Sequence, residues 1–274
     1  MMKLSTFNSA IRLLPDFLVI GAQKCGTSTL HAALAQHPCI TSCKVKEPSF
    51  FDIKYERGLK WYKAHFPTLL RKAWHLATSD RVFLTFESTV SYIYHPHAPK
   101  RIAHHLPNSK LIVMLRNPVD RAYSEYWYRR TAWHDTEFET FEKAIEYELA
   151  SNIADQEYRK ILSDERYSYH KYYRYSYLRR GLYAIQLQNL FRYIKRERVL
   201  VIKSEDFFHD PANEFLRILS FLGVRKWLPS RFGIKKKGSY PDMNPHTRNK
   251  LLSFFEPYNE ELFKLLGTRY DWDD

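Results

Sequence analysis

An α/β fold is predicted, with a parallel β-sheet flanked by helices on both faces. Three observations carry that prediction. Short apolar runs rich in β-branched and aromatic residues alternate with segments of helical periodicity, the order expected of parallel strands joined by crossover helices. The 274 residues suit one α/β domain with insertions, so a single domain over 1–274 is expected. The first apolar run leads through a glycine-containing loop directly into a helix, the arrangement that presents backbone N–H groups to an anion.

The elements follow in order. Residues 17–20, Phe-Leu-Val-Ile, read as a strand buried on both faces, because such strands are continuously apolar. Residues 30–36 read as a helix that His37-Pro38 ends. A second strand is expected over 82–86, a helix from about 97 to 106, and a third strand over 110–115. Pro118 suits the first turn of the next helix. Residues 137–177 are polar and aromatic and should be helical in pieces. Leu182, Ile185, Leu187, Leu190 and Ile194 are close to helical spacing and predict a helix over 182–194. Residues 199–202 form a fourth strand, and Asp210-Pro211 opens a helix with Phe215, Leu216, Leu219 and Leu222 on one face. Ligands of open parallel sheets bind at the carboxyl ends of the strands. The loop at 21–29 and the turn after Leu115 therefore frame the candidate site.

Composition narrows the function. The chain has 43 Lys and Arg against 30 Asp and Glu, a formal net charge of +13, which favours an anionic partner without choosing one. Hydrophobic residues at 45% exclude a disordered chain, and 3 cysteines are too few for a disulfide framework in a chain of this length. No apolar stretch approaches the roughly 20 residues of a membrane span. The N-terminal residues lack the apolar core of a signal peptide. A soluble, cytoplasmic protein is expected; a lumenal catalytic domain separated from its anchor would read the same way.

Gly21 and Gly26 have the spacing of a Walker A loop, but a nucleotide triphosphatase would need Lys at position 27. Thr27 stands there, and the lysine, Lys24, rises from the loop itself. The strand over 110–115 runs into Arg116 rather than a Walker B aspartate. Arg116 can make paired hydrogen bonds to a phosphate, and Ser124, about two helical turns later, can add a hydroxyl donor. A nucleotide kinase or other phosphotransferase is the first alternative, and a non-catalytic nucleic-acid-binding protein the second.

These residues resemble the sulfotransferases that use 3′-phosphoadenosine 5′-phosphosulfate (PAPS). Lys24-Cys25-Gly26-Thr27-Ser28-Thr29-Leu30 looks like their 5′-phosphosulfate loop, and Leu115-Arg116-Asn117-Pro118 through Ser124 like their 3′-phosphate motif. The resemblance continues through Lys46-Glu47-Pro48-Ser49-Phe50-Phe51-Asp52, Arg180-Gly181-Leu182-Tyr183 and Lys203-Ser204-Glu205-Asp206-Phe207. It is closest to the heparan-sulfate-type and bacterial carbohydrate branches. The resemblance implies a P-loop-like fold, PAPS as cofactor with PAP as product, and no requirement for a metal. It places Lys24, Cys25, Gly26, Thr27, Ser28, Thr29, Arg116, Ser124, Tyr183, Lys237 and Gly238 at the cofactor. It implies an acceptor that is a small molecule, carbohydrate or lipid, and it disfavours nucleic acid. Two departures stand out: Ser88 lies where the heparan-sulfate branch often has a lysine, and Ser239 replaces a more common arginine.

Sulfuryl transfer is mostly positioning and charge stabilisation. Lys24 is the natural partner of the oxygen bridging sulfur and the 5′-phosphate. The acceptor must lose a proton, and the resemblance makes Glu47 the base, against a surface pairing with Lys44 or Lys46. Histidine is the alternative base, from His95, His97, His104 and His105. The interleaved rings and cations of 167–180 fit a nucleotide lid, an acceptor wall, stacked bases or a half-buried helix. Cys39, Cys43 and His37 lack a fourth ligand for zinc. Cys25 at a helix start could be a reactive thiolate or a small loop residue.

Overall fold

The computed structural model describes residues 6–135, 137–164, 170–233 and 238–272. Its centre is a sheet of five strands: β1 (Phe17–Gly21), β2 (Ile40–Ser42), β3 (Leu84–Ser88), β4 (Lys110–Leu115) and β5 (Val199–Lys203). They lie in the order β2-β3-β1-β4-β5, and every pairing is parallel. Phe17 of β1 sits opposite Phe86 of β3 and Lys110 of β4. β1 and β4 are buried because helices cover both faces, which is why their sequences are apolar throughout.

The helices are α1 (Thr27–Leu34), α2 (Gly58–Lys63), α3 (Leu69–Thr78), α4 (Ala98–His105), α5 (Pro118–Ala132) and α6 (Phe141–Ser151). They continue as α7 (Ile153–Ser163), α8 (His170–Arg174), α9 (Tyr183–Phe191), α10 (Ser204–His209), α11 (Pro211–Leu222) and α12 (Pro245–Leu266). Local chemistry sets several boundaries. Asn117 caps α5 by accepting from the Val119 N–H, with Pro118 at the first helical position. Asp210 caps α11 through the Asn213 N–H, and Gly223 ends it in the left-handed conformation.

Most expected elements are present, with two shifts. The helix after the first loop begins at Thr27 rather than Leu30, because Gly26 at φ 86° already turns the chain into it. The second predicted strand lies two residues later, at β3. β2 was not expected: Ile-Thr-Ser is too short to show a period. Nor was α12, whose 22 residues carry an interior proline, Pro257. It packs against α9 and α5, so tertiary contacts sustain it despite the missing donor.

The sheet's inner residues join α1, α9 and α11 in one apolar cluster, in which Phe17 stacks on Phe86 at 5.0 Å. Truncating a fully buried member such as Leu111 to alanine would cost about 2–5 kcal/mol. That rigidity holds the carboxyl ends of β1 and β4 side by side, and the cleft opens there.

Candidate active site

The first wall of the cleft is the loop between β1 and α1. Lys24 has φ 69° and Gly26 φ 86°, so the chain turns sharply and presents the start of α1 to the cleft. A Cβ on Gly26 would lie 2.8 Å from the Phe208 ring, so this position requires glycine for space as well as conformation. No side chain caps α1. Its first N–H groups and the positive end of its dipole are available to an anion. Lys24, Gly26, Thr27 and Ser28 line a cleft of about 530 Å³. Cys25 and Thr29 are buried beneath it. The Cys25 thiol lies 3.8 Å from the Tyr183 hydroxyl, and burial pushes it up to about 11, so it stays protonated and is no thiolate nucleophile. Its carbonyl accepts from Ser204 Oγ at 2.5 Å, tying the loop to the start of α10.

The second wall is the end of β4 and the start of α5. Arg116, Asp120, Ser124 and Tyr128 line the same cleft, the last three at i, i+4, i+8 along one face of α5. Tyr183 does not reach the cleft. It is buried, donates to the Arg116 carbonyl at 2.9 Å and meets Cys25 on its other side, bracing the end of β4 against the β1–α1 loop. The Asn117 N–H donates to Glu205 at 2.8 Å, and Asp120 pairs with Arg248 at 2.8 Å. Deeper, Glu125 is enclosed by Arg121 at 2.7 Å, Arg129 at 2.7 Å and Arg180 at 3.4 Å. Burial opposes its ionisation, but Arg180, Arg129 and Arg121 together hold it at about 2. Arg180 also donates to the side chain of Gln23, which lines the cleft.

This geometry answers what the aromatic, cationic stretch does where it is described. Tyr172 stacks on Tyr94 at 4.4 Å, Tyr177 is buried against α5, and Arg180 reaches the phosphate loop. These residues support the cleft from behind. Residues 165–169 lie outside the described residues.

The mouth of the cleft carries Glu47, which is exposed and lies 3.7 Å from Lys46 Nζ. Its loop is fixed from below. The Phe50 and Phe51 N–H groups both donate to the Tyr92 hydroxyl, at 2.8 and 3.3 Å. With both lone pairs used, Tyr92 donates its own proton to Glu87 at 2.9 Å. Tyr62 and Thr89 also donate to Glu87, at 2.9 and 2.6 Å. Burial pushes Glu87 up to about 8, against those hydrogen bonds. Lys46 Nζ donates to Ser28 Oγ at 2.6 Å, and Ser88 Oγ meets His31 Nδ1 at 2.9 Å. Rings complete the mouth: Lys24 Nζ lies 4.2 Å over Tyr128, and Trp133, 54% exposed, stands edge-on to Tyr128. Gly238 also lines the cleft beside Tyr240, whose ring lies 2.3 Å from where a Cβ on that glycine would sit. Lys235, Lys236 and Lys237 lie outside the described residues.

None of the four candidate histidines lines the cleft. His95 is fully buried, and burial together with Arg101 and His97 pushes it well below the usual histidine range. His97 bonds the Ile161 carbonyl at 2.8 Å, His105 the Tyr55 hydroxyl at 2.8 Å, and His104 packs against His105. The Cys39 and Cys43 thiols donate to Asp80 at 2.9 Å and to the Val45 carbonyl at 2.6 Å. Sequence reasoning did not assign Lys46, Tyr128, Trp133, Tyr240 or Glu205 to the site. Helical spacing from Ser124 could have found Tyr128; the others arrive by chain folding.

The sulfotransferase domain profile matches residues 14–231. The chain belongs to the sulfotransferase family. Sulfotransferases of this family use PAPS as donor, and this chain is a PAPS-dependent enzyme similar to the heparan-sulfate branch. It is 29% identical to heparan sulfate glucosamine 3-O-sulfotransferase 6 of Mus musculus, over 96% of this chain and 75% of that one. The Homo sapiens counterpart is 30% identical over 95% and 74%. The match to bifunctional heparan sulfate N-deacetylase/N-sulfotransferase 4 of Mus musculus, at 30% identity, covers 92% of this chain but 30% of that protein. Among solved structures, a sulfotransferase from Alicyclobacillus acidocaldarius superposes with a TM-score of 0.70 at 28% identity, covering 96% of this chain and 100% of that one. The volume of the cleft falls in the range of small-molecule sites, and it carries Lys24 on one wall and Arg116 on the other. Among the described residues no helix is long and apolar enough to cross a membrane.

Proposed function

We propose that the protein moves the sulfuryl group of PAPS to a hydroxyl of a carbohydrate acceptor, with Lys24 and Glu47 as catalytic residues. The observation that carries this reading is that Lys24 and Glu47 line one cleft whose far wall is Arg116 and Ser124. PAPS supplies the sulfuryl group and a phosphate leaving group. The start of α1, with Gly26, Thr27 and Ser28, holds the 5′-phosphate, and Arg116 and Ser124 hold the 3′-phosphate. Glu47 takes the proton of the acceptor hydroxyl as that oxygen bonds to sulfur and the bond from sulfur to the 5′-phosphate oxygen breaks. Lys24 meets the negative charge that appears on that oxygen, where a pre-placed cation stabilises the transition state most. Cys25, Thr29 and Tyr183 serve the cofactor by shaping the loop, and Gly238 by bringing the C-terminal loop over the cleft.

The carbohydrate acceptor is supported by the relatives named above and by the exposed Trp133 beside Tyr128, since ring faces stack on sugars. We also read residues 1–274 as one domain, and the three free, buried cysteines as suited to a reducing compartment such as the cytoplasm. The decisive experiment is transfer of labelled PAPS to a panel of heparan oligosaccharides, simple glycans, phenols and lipids. Transfer to glycans is expected. Lys24→Ala should lower kcat by roughly 10²–10³-fold, as for loss of a transition-state donor. Glu47→Gln should lower it by about 10²-fold with PAP affinity unchanged. Transfer to phenols alone would overturn the acceptor class, and near-normal kcat in Lys24→Ala would remove the lysine from the mechanism.

A further inference from the structure

We infer that Lys46 is a positioning residue that locks the phosphate loop to the base loop, orienting Ser28 toward the 5′-phosphate and holding Glu47 at the mouth. The inference rests on the proposed roles of Ser28 and Glu47. Lys46 follows β2, and its carbonyl accepts from the Ser88 N–H at 3.2 Å, so the end of β3 fixes its backbone. Its ammonium then spans to α1 and donates to Ser28 Oγ at 2.6 Å, across 18 positions of sequence. The same ammonium lies 3.7 Å from Glu47.

Hydrogen-bond bookkeeping gives the contact its consequence. A serine hydroxyl has one proton to donate and two lone pairs to accept with, while an ammonium can only donate. Lys46 therefore occupies a lone pair of Ser28, and the Ser28 proton must point elsewhere. Ser28 lines the cleft at the start of α1, so an anion there is the partner that completes its geometry. A neighbouring cation also strengthens the hydroxyl as a donor. His31, on the next turn of α1, stays uncharged: burial first, then the charge of Lys46, pushes it down to about 4. It adds no second cation at this corner. Ser88 is neutral and occupied with His31. Lys46 thus brings positive charge to a corner that neither Ser88 nor His31 supplies.

Stability does not explain the arrangement. Lys46 and Glu47 are 31% and 43% exposed, and ion pairs so exposed contribute little to folding. Lys46→Met should leave the melting temperature within a few degrees of wild type while acting on both loops.

The test measures PAP affinity by calorimetry and transfer from PAPS to heparan oligosaccharides for wild type, Lys46→Met, Lys46→Arg, Ser28→Ala and the Lys46→Met/Ser28→Ala double variant. Lys46→Met is expected to weaken PAP binding by about 3–10-fold, the size of one ordinary hydrogen bond, because Lys46 acts on the ligand only through Ser28, and to lower kcat by roughly tenfold or more. Ser28→Ala should weaken PAP similarly, and the double variant should lose no more than the larger single loss, because the two side chains act as one unit. Lys46→Arg should recover part of kcat. PAP affinities that multiply independently in the double variant, or a Lys46→Met enzyme equal to wild type, would overturn the inference. If Lys46→Met does not fold, the clamp is not its main role, and the inference also fails. Failure of wild type itself to bind PAP would instead remove the proposed function, so the two readings fail separately.

Discussion

Glu87, beneath the loop that carries Glu47, and Glu125, behind the α5 wall, are both fully buried, and they are held in opposite ways. Glu125 stands among Arg121, Arg129 and Arg180 and is ionised down to about pH 2. Glu87 is surrounded by the hydroxyls of Tyr62, Tyr92 and Thr89, with no cation in contact among the described residues, and burial keeps its proton on to about pH 8. The difference suits the roles proposed for the two regions. If α5 faces the 3′-phosphate, a buried counter-charge keeps its arginines aligned without competing for the ligand. If Glu47 is the base, a neutral hydrogen-bonded anchor fixes its loop without adding a second negative charge behind it. Burial opposes the charge in both places; three arginines overcome it at Glu125, and the hydroxyl hydrogen bonds do not overcome it at Glu87.

The largest effect expected from breaking this comparison is on the ionised side. Glu125→Ala leaves three arginines without their shared partner and should cost about 3–5 kcal/mol, as for one member removed from a buried ion pair. Urea unfolding measures it. A loss under about 1 kcal/mol would mean that the cluster behaves as if solvent-exposed.

Arg116 tests the cofactor side without disturbing Glu125. Arg116→Ala should weaken PAP by about 1.5–3 kcal/mol, the range for a hydrogen bond to a charged group, and leave the analogue lacking the 3′-phosphate nearly unaffected. Equal losses for both nucleotides would place Arg116 elsewhere on the ligand.

The neutral side is sharpened by pH. Folded protein keeps the Glu87 proton to about 8, whereas an unfolded glutamate releases it near 4.5. The stability it contributes is therefore full below 4.5 and is lost as pH rises through 8. Glu148, raised by burial to about 7, acts in the same direction. Urea midpoints should decline across this window, and Glu87→Gln should decline less steeply. An unchanged slope in that variant would assign the titration to another group. The smallest effect belongs to Ser124→Ala, about 0.5–1.5 kcal/mol in PAP binding for one neutral donor.

Much of the cleft was legible because each of its walls begins from a local motif. The glycine-containing turn, the helix start and the arginine closing a strand each lie within a few residues, and strand–loop–helix geometry follows from short-range sterics and hydrogen bonding. The i, i+4, i+8 line of Asp120, Ser124 and Tyr128 is equally local. Tyr183 was expected at the cofactor, but it stands behind the cleft and its contact is with Arg116's backbone, at a sequence distance of 67. The aromatic stretch left four readings open, since burial of Tyr172 and Tyr177 depends on Tyr94 and α5, which no spacing within the stretch reveals.

The sequence by itself determined the chemistry on offer: an anion-holding loop with its lysine, an arginine at a strand end, and a carboxylate in the Glu47 segment. Tertiary structure decided which of these face one another. The order β2-β3-β1-β4-β5 sets β1 beside β4, and so the Lys24 loop beside Arg116. It also carries the segment after β2 back to α1, where Lys46 meets Ser28. The physical reason is range. Helical and strand periods express forces between near neighbours, while strand order and the contacts of Arg180 with Gln23 or Tyr62 with Glu87 follow from how the whole core buries its apolar surface and satisfies its buried polar groups.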